Sequence, residues 1–335
     1  MTKRFAVVTL VAVTVLFLLG AATAWAAPKA KLPAVPEGWT LISEIPWGTG
    51  PGQLHQEIGS KDPRQVIQGP TRFVVFPGGA FAILDPIGAA VREYDAAGKF
   101  RRDLKFPAND VHDAETMTID MAGVSPGEYW LLSLGQRALL HLTADGAVQA
   151  HPLAGLSADA LLTAMTFDGR ENLYVLDSMD NSVYRMNTAG KTSPKLTSDA
   201  AQNMIVDSAG RFYSLRLGSK TDLRHLEAIR WTPPDRVEVL GKLQTQEEAN
   251  RMDVVGLDAK DGVYVWLAGG AIETPSYSEI LRIGPDGSVT GRVPAPLDPT
   301  VLKLVHAKAV TPDGTLYAVT LSQTGFSLYR HDPMP

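Results

Sequence analysis

The sequence predicts an all-β fold, a six-bladed β-propeller of four-stranded antiparallel blades whose ring is closed by an N-terminal strand in the last blade. Three observations carry that expectation. A strand–turn–strand motif recurs six times, its spacing is that of propeller blades, and its last copy runs out of chain one strand short.

The motif is a short apolar strand, a turn often built on Asp and Gly, and a strand with an aromatic residue near its start. It spans 74–85, 117–133, 165–177, 204–215, 255–267 and 309–319, the second copy (MTIDMAGVSPGEYWLLS) reading as one with a longer turn. With Ala82, Trp130, Tyr174, Tyr213, Tyr264 and Tyr317 taken as equivalent, successive copies lie 48, 44, 39, 51 and 53 residues apart. All-β repeats of about 40 to 50 residues are propeller blades. Helical repeats of that length would place apolar residues at i, i+3, i+4 and i+7. Here the apolar residues form short Val-, Ile-, Leu- and aromatic-rich runs bounded by turns, the mark of strands.

Each copy is followed by a second strand pair around its own turn, as in VREYDAAGKF (91–100), LLHLTADGAV (139–148), VYRMNTAGK (183–191), IRWTPPDRVEVL (229–240) and ILRIGPDGSV (280–289). Blades four and five read as carrying long insertions. The sixth blade stops after SLYRHDPMP (327–335). An open sheet edge there would invite pairing with another chain. The segment 39–45 (WTLISEI) alternates like a strand and has no hairpin partner, so it is expected to form the outer strand of blade six.

Ahead of the propeller, residues 1–26 read as a signal peptide. Lys3 and Arg4 precede an uncharged, largely apolar run from Phe5 to Ala22, and Ala24-Trp25-Ala26 supplies the small-x-small cleavage pattern. Cleavage would leave no membrane span. An uncleaved anchor is the competing expectation, because the run is nearly long enough to cross a bilayer. Residues 27–38 form a Pro-rich linker, and 39–335 the propeller. A periplasmic or secreted location follows. The chain has no cysteine, which excludes disulfides, thiolate catalysis and a lipid-bearing cysteine. Net charge is -5, so nucleic acid, which binds by displacing counterions with Lys and Arg, is not an expected partner.

The candidate site is a ring at the channel mouth. In each motif one position takes the Asp slot of the turn: Phe76, Asp120, Asp168, Asp207, Asp258 and Thr311. Five residues earlier stand Thr71, Glu115, Thr163, Gln202, Asp253 and His306, all polar, whereas the residue just before each slot is apolar. Strand alternation leads us to expect the polar set to open onto the channel and the apolar set to pack between blades. Such a ring could be merely hydrated, could orient a small polar ligand, or could hold a divalent cation through oxygen ligands, with Glu115 and Asp253 the metal candidates.

The runs 69–100 and 163–191 resemble NHL-type repeats: apolar strand, Asp, Gly turn, strand with aromatic, Asp, then a third strand ending in Asp-x-x-Gly. That resemblance implies a six-bladed propeller used mostly for binding, and no particular reaction. A more distant likeness, to gluconolactonase-like propellers, implies metal ligands just ahead of the innermost strands, a place Asp253 occupies and Glu115 approaches. Gln68 stands where that family has Glu, however, and Thr163 and Gln202 stand where it has Asn.

The remaining motifs read as structural. Gly48-Thr49-Gly50-Pro51-Gly52 lacks the Lys and the helix of a phosphate loop. Asp177-Ser178-Met179-Asp180-Asn181 lacks calcium-loop spacing and reads as a blade turn. The other histidines (His55, His112, His141, His151, His225, His331) read as scattered surface or turn residues, and Trp231 and Trp266 as blade packing. The expected function is therefore non-enzymatic binding or assembly with a protein or polysaccharide partner. The alternatives are a metal-dependent lactonase or related hydrolase, and a small-molecule sensor.

Overall fold

The structure is a computed structural model. It describes residues 35–334 apart from 57–68, 108–117, 154, 158, 198–203, 220–221, 272–273, 297–306 and 323. The expected signal peptide, most of the expected linker, and Gln68, Glu115, Gln202 and His306 lie outside the described residues.

Six four-stranded antiparallel sheets form the blades. Blade one is β2 (Arg72–Val75), β3 (Phe81–Asp85), β4 (Ala90–Tyr94) and β5 (Phe100–Lys105). Blade two is β6 (Thr118–Ser125), β7 (Glu128–Ser133), β8 (Ala138–Leu142) and β9 (Val148–Pro152). Blade three is β10 (Leu162–Phe167), β11 (Asn172–Asp177), β12 (Ser182–Asn187) and β13 (Thr192–Thr197). Blade four is β14 (Ile205–Val206), β15 (Phe212–Leu217), β16 (His225–Thr232) and β17 (Arg236–Gln244). Blade five is β18 (Ala249–Leu257), β19 (Val263–Ala271), β20 (Thr274–Ile283) and β21 (Val289–Pro294). Part of its extra length goes into β19 and β20, which are longer than their counterparts in the other blades.

Blade six takes β22 (Lys308–Val310), β23 (Leu316–Leu321) and β24 (Gly325–His331) from the end of the chain and β1 (Trp39–Pro46) from its beginning. Trp39 pairs with His331 and Pro46 with Gly325, with a register shift between Leu41 and Ser43. Trp39 also donates its Nε1 hydrogen to Pro294 O of blade five at 2.7 Å. The expected closure is present, and it covers the edge that β24 would otherwise expose.

Both faces of each sheet are buried against neighbours, so the core is a series of seams. Phe76, Leu84 and Leu104 of blade one meet Met121, Tyr129 and Leu140 of blade two. Phe73, Phe81 and Ile83 turn the other way, to Tyr317, Val319, Phe326 and Leu328 of blade six, in a cluster that continues to Trp266 and Ile280 of blade five. Similar clusters join blades two and three, three and four, and four and five. Trp231 and Trp266 are buried in this packing.

The recurring turn residues have specific work at the lower end, where first strands hand over to second strands. Asp168 Oδ1 accepts the backbone N–H groups of Arg170, Glu171 and Asn172 at 2.9–3.0 Å. Asp207 and Asp258 hold their turns in the same way. An Asp side chain thus satisfies amides that a tight turn leaves without backbone partners. The aromatic residue opening the second strand reaches across a seam. A Cβ on Gly314 (φ +88°) would stand 3.1 Å from the Tyr264 hydroxyl, and one on Gly79 (φ +86°) 3.3 Å from the Tyr317 hydroxyl. Glycine is needed there for the left-handed backbone and for the close approach of the neighbouring tyrosine.

Blade two departs from its expected form. Its turn is short, with Ser125 paired to Glu128, and the extra residues lengthen β6 instead. Asp120 therefore lies within a strand, not at a turn.

Candidate functional site at the upper end of the channel

We call the end where innermost strands begin the upper end. It carries the connections between blades and the turns from second to third strands, whereas the lower end carries only short hairpins. Register decides which residues stand level around the axis. Arg72 pairs with Leu84 in blade one, Asp120 with Leu132 in blade two, Ala164 with Leu176 in blade three and Asp253 with Trp266 in blade five. Those partners are each two residues past the equivalent positions Ala82, Trp130, Tyr174 and Tyr264, so Arg72, Asp120, Ala164 and Asp253 share a level.

This level corrects the spacing-based ring at two blades. β-Bulges in β6 and β18 shift the count by a residue or more. Asp253 is the counterpart of Arg72, not of Thr71, and Asp120 itself stands at this level. The expected division between channel-facing and packed positions also changes. Thr71 and Val75 are four residues apart, an even number, so they lie on the same side of the chain. Thr71 is buried, and its hydroxyl has no hydrogen-bond partner among the described residues. Thr163 is half-buried and its Oγ1 lies 2.7 Å from Ser178 Oγ.

At the shared level, Arg72 and Asp120 each reach toward the next blade. Asp120 is fully buried; its Oδ1 accepts the Met121 N–H at 2.8 Å and its Oδ2 the Met165 N–H of blade three at 2.7 Å. Arg72 Nε stands 3.6 Å from Asp120 Oδ1. Burial pushes the Asp120 carboxyl above the usual carboxylate range, against the pull of Arg72 and the two amides. Burial likewise lowers the Arg72 guanidinium, with Asp120 opposing.

On the far side, Asp253 is buried and accepts from Arg251 Nε at 2.5 Å. Burial raises its carboxyl too, while Arg251 and Lys308 draw it down. Lys308 occupies the position held by Phe73 in blade one, Met121 in blade two, Met165 in blade three and Val254 in blade five. It is the charged member of an otherwise apolar, buried set. Its Nζ lies 4.7 Å from the Trp266 ring centroid and 3.3 Å from Pro296 O. Arg251 lies 5.4 Å from the same ring. Trp266 is thus flanked by two cations, and cations are attracted to an indole face.

Among the described residues, no three His, Asp or Glu side chains gather as metal ligands. Sequence reasoning missed Arg72, Asp120 and Lys308 as mouth residues. The signal available was a charge inside an innermost strand, where the other copies are largely apolar. It also missed the role of His55, whose Nδ1 lies 2.8 Å from Asp85 Oδ2. Asp85 is fully buried and also accepts from Arg92 Nε, so His55 anchors the 47–56 loop to blade one.

The rim above the channel is different in character. Leu161, Met179, Leu217 and Leu223 are 51%, 47%, 39% and 36% exposed, and all four sit on the upper end of blades three and four. Leu161 and Met179 are held side by side because buried Asp177 Oδ1 accepts both of their backbone N–H groups, at 2.9 and 3.0 Å. The stretch 177–181 is the blade turn expected from its spacing.

No protein-family model and no curated protein matches this chain. Solved structures do match in shape. The calcium-binding protein regucalcin from Agrobacterium tumefaciens superposes with a TM-score of 0.53 at 15% identity, covering 92% of this chain and 96% of that one. A luciferin-regenerating enzyme gives 0.50 at 14% identity, covering 78% and 91%. A YCF48 structure with a bound D1 peptide gives 0.48 at 13% identity, covering 92% and 99%. At these identities the regucalcin and luciferin-regenerating enzyme superpositions show the shared propeller fold and nothing finer.

Proposed function

We propose that this chain is an exported, non-enzymatic binding protein that presents the upper end of its propeller to a protein or polysaccharide partner. The observation that carries this reading is that Leu161 and Met179, held side by side, and Leu217 and Leu223 are all exposed on the upper end of two adjacent blades. Scattered exposed apolar residues are ordinary, but neighbouring ones on a functional face mark interaction surfaces. The mouth supports the same reading. Asp253, the candidate ligand that the structure describes, already has a guanidinium at hydrogen-bond distance, which supplies the positive charge a metal would otherwise bring. The export signal rests on Lys3, Arg4, the apolar run and Ala24-Trp25-Ala26.

The test compares immobilised wild type with a Leu161→Glu/Met179→Glu variant for capture of envelope proteins and polysaccharides. A Val237→Glu/Val239→Glu variant, altered on the outer strand β17, is the control. The reading expects one reproducible captured species that the rim variant loses at least tenfold and the control retains. Lactone hydrolysis that depends on an added divalent cation and persists in the rim variant would overturn it.

A further inference from the structure

We infer that Met179 is an oxidation site on the upper rim, and that its conversion to the sulfoxide by a peroxide weakens docking there. The effect on docking rests on the reading of the rim as a docking face; the oxidation itself does not.

The chain has no cysteine, so the thioethers of its nine methionines are its only sulfur atoms. Met1 and Met117 lie outside the described residues. Of those described, Met121, Met165, Met186, Met204 and Met334 are buried, and Met252 is half-buried in the packing between blades four and five. Met179 is 47% exposed. It stands in the turn between β11 and β12, and the bonds that hold it also hold Leu161. Asp177 Oδ1 accepts the backbone N–H of both, and the intervening Ser178 N–H donates to Leu161 O at 2.9 Å. Ser178 Oγ lies 2.7 Å from Thr163 Oγ1 in β10. The backbone of Met179 is thereby tied at the surface of the upper end, beside an exposed leucine.

A peroxide supplies the reaction. The thioether sulfur attacks one peroxide oxygen, and the O–O bond breaks as the S–O bond forms. Proton transfer to the departing hydroxide then yields the sulfoxide and water. Sulfur loses two electrons and the peroxide gains them. A flexible apolar side chain has become a polar one. A partner that covers Leu161 and Met179 would then bury the sulfoxide oxygen without a donor, which is unfavourable. Oxidation of Met121 or Met165 would disrupt a seam, but Met179 lies in an exposed turn, so its oxidation leaves the fold intact. Methionine sulfoxide is returned to the thioether by dedicated reductases, so the loss is reversible.

The test exposes the folded protein to limiting hydrogen peroxide and follows oxygen uptake at each methionine by peptide mass spectrometry. Met179 should oxidise at least tenfold faster than Met121, Met165, Met186 and Met204, with little change in Tm. Equal rates would overturn the site. Retention on phenyl-agarose, an apolar probe of the rim, reads the consequence. Treated wild type should elute earlier than untreated, and a methionine sulfoxide reductase should restore its position. Met179→Leu, compared with its own untreated sample, should not shift. An equal shift in Met179→Leu, or none in wild type with Met179 oxidised, would overturn the effect on docking. Untreated Leu161→Glu tests the rim by itself. If it elutes with wild type, the rim is not an apolar docking face and the effect on docking falls with it, while the oxidation rates still decide the modification site.

Discussion

Carboxylates in this protein do two opposite things, and position decides which. Asp258 sits in a lower turn; its Oδ2 accepts from Arg282 Nε at 2.8 Å and from the Tyr264 hydroxyl at 3.1 Å. Burial alone would raise its carboxyl, but Arg282 and the Gly262 and Lys260 amides outweigh burial and hold it below the usual carboxylate range. Burial and the same carboxylate push the Tyr264 hydroxyl up to about 12. A depressed carboxyl contributes stability that is present above its unfolded value of about 4 and lost as pH falls through the folded value. Asp258→Asn should therefore destabilise the protein by about 1–3 kcal/mol at pH 7, as loss of charged hydrogen bonds does. Urea melts should find the gap between variant and wild type shrinking toward pH 3; a constant gap would reject the assignment. Asp120 and Asp253 have raised values, so their contribution is largest at low pH and falls as pH rises through the folded value. The turn role of Asp168, Asp207 and Asp258 was legible because it recurs at fixed spacing. Arg72 and Lys308 carried no such mark, since each occurs once and its meaning depends on what stands opposite.

At the scale of strands, what was legible was whatever obeys a period. Four strands per blade follow from paired apolar runs and Asp-Gly turns, and β1 was identifiable because it alternates without a hairpin partner. The level of residues within a blade was less legible. A bulge adds a residue with no compositional signature, so counting from the turn fails in β6 and β18 while holding in the unbulged β2. The same limit turned the second motif's extra residues into a supposed long turn when they extend a strand. The closing strand gives a direct test. Trp39 and Ile45 are buried, and Trp39 bonds to blade five as well as pairing within blade six. Removing residues through 46 exposes the edge of β24, whereas removing residues through 36 leaves β1 intact. The longer deletion should abolish the cooperative melt or cause aggregation, and the shorter should leave Tm within a few degrees. Equal Tm for both would contradict the closing role.

Across the whole molecule, buried seams bind each blade to its neighbours, and the two ends differ in kind. The lower end is made of short hairpins, those of blades three, four and five stapled by their own Asp side chains, and these were readable from sequence because the Asp turn recurs. The upper end is made of connections of unequal length, and no repeat relates one to another. Asp120 is set there by a contact between blades, its Oδ2 accepting the Met165 N–H, and Lys308 of blade six lies over the Trp266 ring of blade five. Such contacts join residues tens of positions apart, which no local pattern reports. On the proposed reading this end recognises a partner, and its buried acids are balanced by the protein's own cations, not by a metal. The most direct measurement is a thermal melt of the wild-type chain with calcium, magnesium, manganese or zinc, each against chelator. A metal bound only by the folded state would add about 2.7 kcal/mol at a hundredfold excess over its dissociation constant. The account predicts no saturable shift with any of the four; a saturable rise in Tm that Asp253→Asn abolishes would contradict it.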